Sequence, residues 1–103
     1  MLTIVETRGF TSEAESLLSE SDRAELFLHL ALNPYSGQVI PGSAGCRKLR
    51  WALAGKGKRG GVRVVYVNYL TMGEIVMITI YAKSETGNIP AHLLRIIKET
   101  YEN

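Results

Sequence analysis

The sequence predicts one α+β domain over residues 1–103: a compact two-layer arrangement of an antiparallel sheet with helices packed on one face, in the order β-α-α-β-β-β-α. Two observations lead there. The hydrophobic pattern changes along the chain, from helical spacing in residues 10–32 to three later β-rich runs read by strand parity, and back to helical spacing near the end. The three β-rich runs are consecutive and separated by turn residues, the signature of a meander that helices then cover. A chain of 103 residues buries a single core and not two.

Residues 2–6 (LTIVE) are a β-branched run that ends at Thr-Arg-Gly and reads as a first strand. Thr11 or Ser12 is placed to cap a helix whose first turn holds Glu13 and Glu15, and Phe10, Ala14, Leu17 and Leu18 share a face. A break over Ser19–Asp22 recaps a second helix at Ser21, which carries Leu26, Phe27, Leu30 and Ala31 and stops at Asn33-Pro34. Residues 34–45 are irregular. CRKLRWAL then alternates as a strand, with Leu49 and Trp51 opposite Lys48 and Arg50. Beyond the AGKGKRGG loop, VRVVYVNYL and EIVMITIYAK form two more strands about a turn at Thr71-Met72-Gly73. Alternation places Val76, Ile78 and Ile80 together. A terminal helix over residues 90–101 buries Leu93, Leu94, Ile97 and Tyr101.

Composition narrows the function. The apolar fraction of 46% and charged fraction of 21% are those of a globular protein, and no apolar run reaches the roughly 18 residues that span a bilayer. Neither a signal-like N-terminus nor a membrane segment is read, so the expected location is cytoplasmic. Cys46 is the only cysteine, and with His29 and His92 far apart no metal site or cofactor is expected. The net charge of +2 conceals a strong segregation: residues 1–46 carry −4, residues 47–83 carry +7 and the last twenty carry −1. The stretch Gly42–Arg63 alone holds seven of twelve basic residues and six of ten glycines, with no acid. That is the footprint of a polyanion partner, although a solvated strand pair with surplus cations gives the same balance.

Strand parity sharpens the expectation. If the helices cover Leu49, Trp51, Val64, Tyr66, Ile78 and Ile80, the opposite side presents Lys48, Arg50, Arg63, Tyr81 and Lys83 together. Val65, Val67 and Met77 fall on that side as well, so it reads as a half-buried cleft with a basic floor.

The order of elements, with RKLRW, GKGKRGGVRVVY and TIYAKSE, resembles the RelE/HigB-like toxins of type II toxin–antitoxin systems. The resemblance covers nearly the whole chain and is most specific over Gly45–Tyr66 and Thr79–Glu85. It implies a ribosome-dependent messenger RNA endoribonuclease, or mRNA interferase, that inhibits translation. It also implies a cognate antitoxin as partner, and operator DNA bound only through the antitoxin complex. By this resemblance Lys48 or Arg50, Arg63, and Tyr81 with Lys83 match the family's catalytic positions. The histidine that several members carry near the end of the last strand has no counterpart here.

Metal-free RNA cleavage needs a base for the 2′-hydroxyl, stabilisation of the phosphorane, and an acid for the 5′-oxygen. Arg63, supported by Lys83, suits the second role through charge-assisted hydrogen bonds. A lysine crowded by other cations releases its proton more readily; Lys48, Lys56 and Lys58 are the candidates. Tyr81 either stacks on a base, positions the phosphate, or packs on its neighbours. Arg47, Arg50, Lys56, Lys58 and Arg59 are expected to contact phosphates, and Glu85 to pair with Lys83 or Arg63. A non-catalytic RNA- or ribosome-binding module, or a degenerate toxin acting in operon repression with its antitoxin, would carry much the same surface.

Overall fold

The computed structural model describes residues 2–53, 61–82 and 89–103. Five strands and three helices follow in order: β1 (Thr3–Glu6), α1 (Arg8–Leu17), α2 (Glu20–Leu32), β2 (Gln38–Val39), β3 (Arg47–Trp51), β4 (Val62–Tyr69), β5 (Glu74–Ala82) and α3 (Ala91–Glu102). The α+β class and the β-α-α-β-β-β-α sequence of long elements hold, with the two-residue β2 added. The sheet order is β1-β5-β4-β3-β2. β2 through β5 are antiparallel neighbours, but β1 runs parallel to β5, so the sheet is mixed and not purely antiparallel. The α1–α2 pair lies between β1 and the rest of the chain, which frees β1 to take the edge beside β5.

Helix starts are set by side-chain caps. α1 begins at Arg8, earlier than Thr11 or Ser12 would give, because the Thr7 hydroxyl accepts from Phe10 N (3.3 Å) and donates to Met77 O (2.7 Å). One side chain thereby satisfies a free helix donor and fastens the helix to β5. α2 is capped by Ser19, not Ser21: its hydroxyl receives Asp22 N while the Asp22 carboxylate receives Ser19 N, a reciprocal pair. Asn33 closes α2 just before Pro34. The β4–β5 connection is a short 3-10 turn over Leu70–Met72, ended by Gly73 at φ 68°, a conformation that favours glycine.

The helices do not share one face. α1 and α2 cover Val62, Val64, Tyr66, Ile75, Met77 and Ile80 with Phe10, Ala14, Leu26 and Leu30. α3 lies on the other face, where Leu94 packs with Cys46, Val65, Val67, Val76, Ile78 and Tyr81. Burying both faces needs apolar residues at both parities, and β4 and β5 supply them in near-continuous runs. Two expectations are corrected as a result. Strict alternation in β5 fails because Val65 pairs with Thr79 and Tyr66 with Met77, leaving Ile78 as an extra residue in a bulge. Ile78 and Val76 therefore turn to the α3 side, while Ile80 and Met77 face α1 and α2. On α3 itself only Leu94 is buried; Leu93, Ile97 and Tyr101 stay 43%, 37% and 37% exposed. The helix touches the sheet along one narrow line.

Candidate active site

β3, β4 and β5 bring the basic residues together by register. Arg63 at the centre pairs with Arg50 on β3 and with Tyr81 on β5, making one row across three strands. The next row along is Lys48, Val65 and Thr79, and Gln38 on β2 continues it beyond Lys48. Residues directly opposite in an antiparallel pair project to the same side, about 5 Å apart. Lys48, Arg50, Arg63 and Tyr81 thus share a face, as alternation predicts. That face is the one α3 partly covers. The helix shields Val67, Val76 and Ile78 and leaves the Arg50–Arg63 end open, Arg50 exposed and Arg63 half-buried.

A cleft of about 420 Å³ opens where the sheet meets the start of α3, walled by Lys48, Val65, Tyr81, Pro90 and Leu94, with Gln38 at its edge. A second depression on the β3 side is lined by Ser36, Gln38, Lys48, Leu49 and Arg50. Lys48 and Gln38 belong to both. Two guanidiniums opposed across neighbouring strands, Arg50 and Arg63, repel in the absence of an anion. A phosphate laid over the row converts that repulsion into two charge-assisted, fork-shaped contacts.

Tyr81 is 8% exposed. Its ring is a wall of the core and not a free stacking platform, so what it offers a substrate is its edge and its hydroxyl. Burial pushes the phenol above its usual range, with the Arg63 charge working in the opposite direction. The group therefore stays protonated near neutrality and is a donor, not a base.

The remaining site residues divide clearly. Arg47 pairs with Tyr66 and so takes the opposite parity. Its guanidinium donates to Gly37 O (2.8 Å) and Tyr35 O (3.4 Å) and lies 5.0 Å from the Tyr35 ring centre, so it clasps the segment before β2 instead of joining the row. Lys56, Lys58, Arg59, Lys83 and Glu85 lie outside the described residues. Neither histidine lines the cleft: His29 packs at a tilt against Trp51, ring centres 5.1 Å apart, and contacts Ser36, and His92 is exposed on α3. Trp51 packs against the α1–α2 core as its parity indicates. Cys46 is fully buried, and burial pushes its thiol up, which suits an inert side chain. Among the described residues no group of three or more His, Cys, Asp or Glu converges as a metal site. No described helix is long and apolar enough to cross a membrane.

Gln38 was not foreseen as a site residue, nor were the walls at Pro41 and Pro90. A two-residue strand leaves no periodicity to read, and the cleft exists only because α3 begins beside it.

No protein-family model matches the chain. Among solved structures it is similar to a mutant of the E. coli toxin RelE in the free state, with a TM-score of 0.61 over 94% of this chain and 96% of that one. The fold is RelE-like. At 14% identity the likeness is one of architecture. Within the RelE-like fold, the Arg50–Arg63–Tyr81 row occupies the open end of the sheet face beside the C-terminal helix.

Proposed function

We propose that the chain is the toxin of a toxin–antitoxin pair, a metal-independent endoribonuclease that cuts messenger RNA on the translating ribosome and is neutralised by a cognate antitoxin in the cytoplasm. The observation that carries this reading is the Arg50–Arg63–Tyr81 row with Lys48 beside it, on an open face of a RelE-like fold. Arg63 and Arg50 hold the scissile phosphate and stabilise charge as it grows on the phosphorane oxygens. The Tyr81 hydroxyl donates a hydrogen bond at the same centre. Lys48, one row away, is assigned as the base that takes the 2′-hydroxyl proton, and the departing 5′-oxygen takes a proton from solvent. Lys83, which follows Tyr81 and Ala82 in sequence, is assigned a supporting charge. Lys56, Lys58 and Arg59 are assigned to phosphates of messenger or ribosomal RNA. Arg47 is assigned to holding the arm before β2. Operator DNA would be met only through the antitoxin.

One observation favours a second reading, a non-catalytic RNA- or ribosome-binding module: neither histidine lines the cleft, so proton transfer falls on less suited groups. Inducing the chain alone in bacteria and mapping messenger ends separates the two. Growth arrest with new cleavage sites, both lost in Arg63→Ala, is expected; arrest without new ends supports the binding module and removes the enzyme.

A further inference from the structure

The 420 Å³ cleft beside the arginine row has a composition that the phosphate chemistry does not use. Its walls include Pro41, Val65, Tyr81, Pro90 and Leu94, all apolar or aromatic, and none of the described lining residues is acidic. A cationic ligand therefore meets no carboxylate among the described lining residues. At one side stands Lys48, one residue pair along β3 from the Arg50–Arg63 row, about 7 Å along the strand. Beside it, opposite on β2, stands the exposed side-chain amide of Gln38, which carries a donor and an acceptor side by side. The volume is at the small end of ligand pockets and far too small for a protein element. Cations, apolar walls and a paired donor and acceptor gathered at one cleft are the groups that a nucleotide's phosphate, ring faces and base edge call for.

We propose that this cleft is a nucleobase pocket that receives one unstacked base of single-stranded RNA, with Gln38 reading its edge. The proposal rests on the reading of the arginine row as an RNA site and adds to it the origin of base preference. Single-stranded RNA is recognised by splaying bases into such pockets and hydrogen-bonding their edges. The phosphate of the bound nucleotide lies toward Arg50 and Arg63, and its base lies against Pro90 and Leu94 with the edge of Tyr81 beside it. Gln38 pairs with Lys48 across the β2–β3 ladder, so its position is fixed relative to the row by sheet register.

The test is a titration of the isotope-labelled chain, followed by amide and side-chain resonances, with AMP, CMP, GMP, UMP and, as the baseless probe, ribose 5-phosphate. The four nucleotides are expected to shift Val65, Leu94 and the Gln38 amide with unequal affinities, while ribose 5-phosphate shifts only the neighbourhood of Arg50 and Arg63. Gln38→Ala is expected to collapse the spread between bases by about tenfold without changing binding of ribose 5-phosphate. Gln38→Glu, which keeps the shape but removes the donor, is expected to favour the amino-bearing bases of AMP, CMP and GMP over UMP. Nucleotides that shift only what ribose 5-phosphate shifts would overturn the pocket and leave the phosphate row intact. A base spread unchanged in both variants would overturn the role of Gln38. Base-dependent shifts in the cleft without any response at Arg50 or Arg63 would support the pocket while counting against the active-site reading.

Discussion

Arg63 is the residue on which two neighbours depend: it faces Arg50 on one side and Tyr81 on the other. Its replacement by alanine is expected to lower cleavage by at least about 100-fold, the usual loss when a preorganised donor to a developing anion is removed. Arg63→Lys should recover only part of that, since an ammonium keeps the charge but not the fork. Both values come from single-turnover cleavage of a ribosome-bound message, with thermal unfolding as the control for folding. Tyr81→Phe separates ring from hydroxyl. The ring is core, so stability should hold within about 1 kcal/mol, while cleavage should fall by about tenfold if the hydroxyl donates at the phosphate. At this scale the shared face of the candidate site was legible in the sequence. Lys48, Arg50, Arg63 and Tyr81 are all reachable by alternation within three strands. Arg47 does not join the row: its parity sets it apart from Lys48 and Arg50, and its guanidinium binds the Gly37 carbonyl. Gln38 left no trace at all, its strand being two residues long.

Between residues and fold, the segment from Pro34 to Val39 shows how one core side chain supports the site's edge. The Tyr66 hydroxyl, buried at the centre of β4, accepts from Gly37 N (2.8 Å) and donates to Pro34 O (3.0 Å). Gly37 lies so close that an added Cβ would meet Tyr66 Cε1 at 2.9 Å and the Lys48 backbone at 3.1 Å. Tyr66→Phe leaves the Gly37 N–H without its partner and is expected to cost about 1–3 kcal/mol in chemical denaturation, with faster amide exchange at Gly37 and Gln38. The far end of α3 is fastened differently. Glu102 accepts from Tyr69 and Lys98, and the Tyr101 hydroxyl contacts Glu74. Those partners hold the Glu102 carboxyl below its usual range, Lys98 first and Tyr69 second. A carboxyl depressed in the folded state contributes above its unfolded value and loses that contribution as pH falls through the folded one. Acidification should therefore fray the last turn of α3, seen as rising amide exchange there, before the sheet responds, and Glu102→Gln should show the fraying without acid. Burial and the Glu102 contact push the Tyr69 phenol up, so its contribution is present at neutral pH and is lost on the alkaline side. Element types were legible from period, down to the stop at Asn33-Pro34, while both helix caps, Thr7 and Ser19, lie upstream of the residues expected. The side of the sheet that α3 takes was not. Leu93, Leu94, Ile97 and Tyr101 form a convincing apolar stripe, and only the bulge at Ile78 and the double-sided apolar content of β4 and β5 decide where it rests.

Over the whole molecule the segregated charge becomes a geometric fact. Acids cluster in the first half of the chain, on and around α1 and α2, while β3 and β4 bring Lys48, Arg50 and Arg63 to the opposite sheet face. RNA binding should therefore weaken steeply with salt. The slope of log affinity against log salt should become shallower by about 0.7 for each phosphate contact removed with Arg50→Ala or Arg63→Ala. The central claim, that sheet parity and not total charge makes the site, is tested most directly by cleavage of a ribosome-bound message with Arg63→Ala and Arg47→Ala, each normalised to folded protein. Both variants lose one arginine, and the two residues lie on strands that pair with each other but on opposite faces of the sheet. Cleavage abolished in the first and retained in the second is the expected result; equal loss in both would contradict the account.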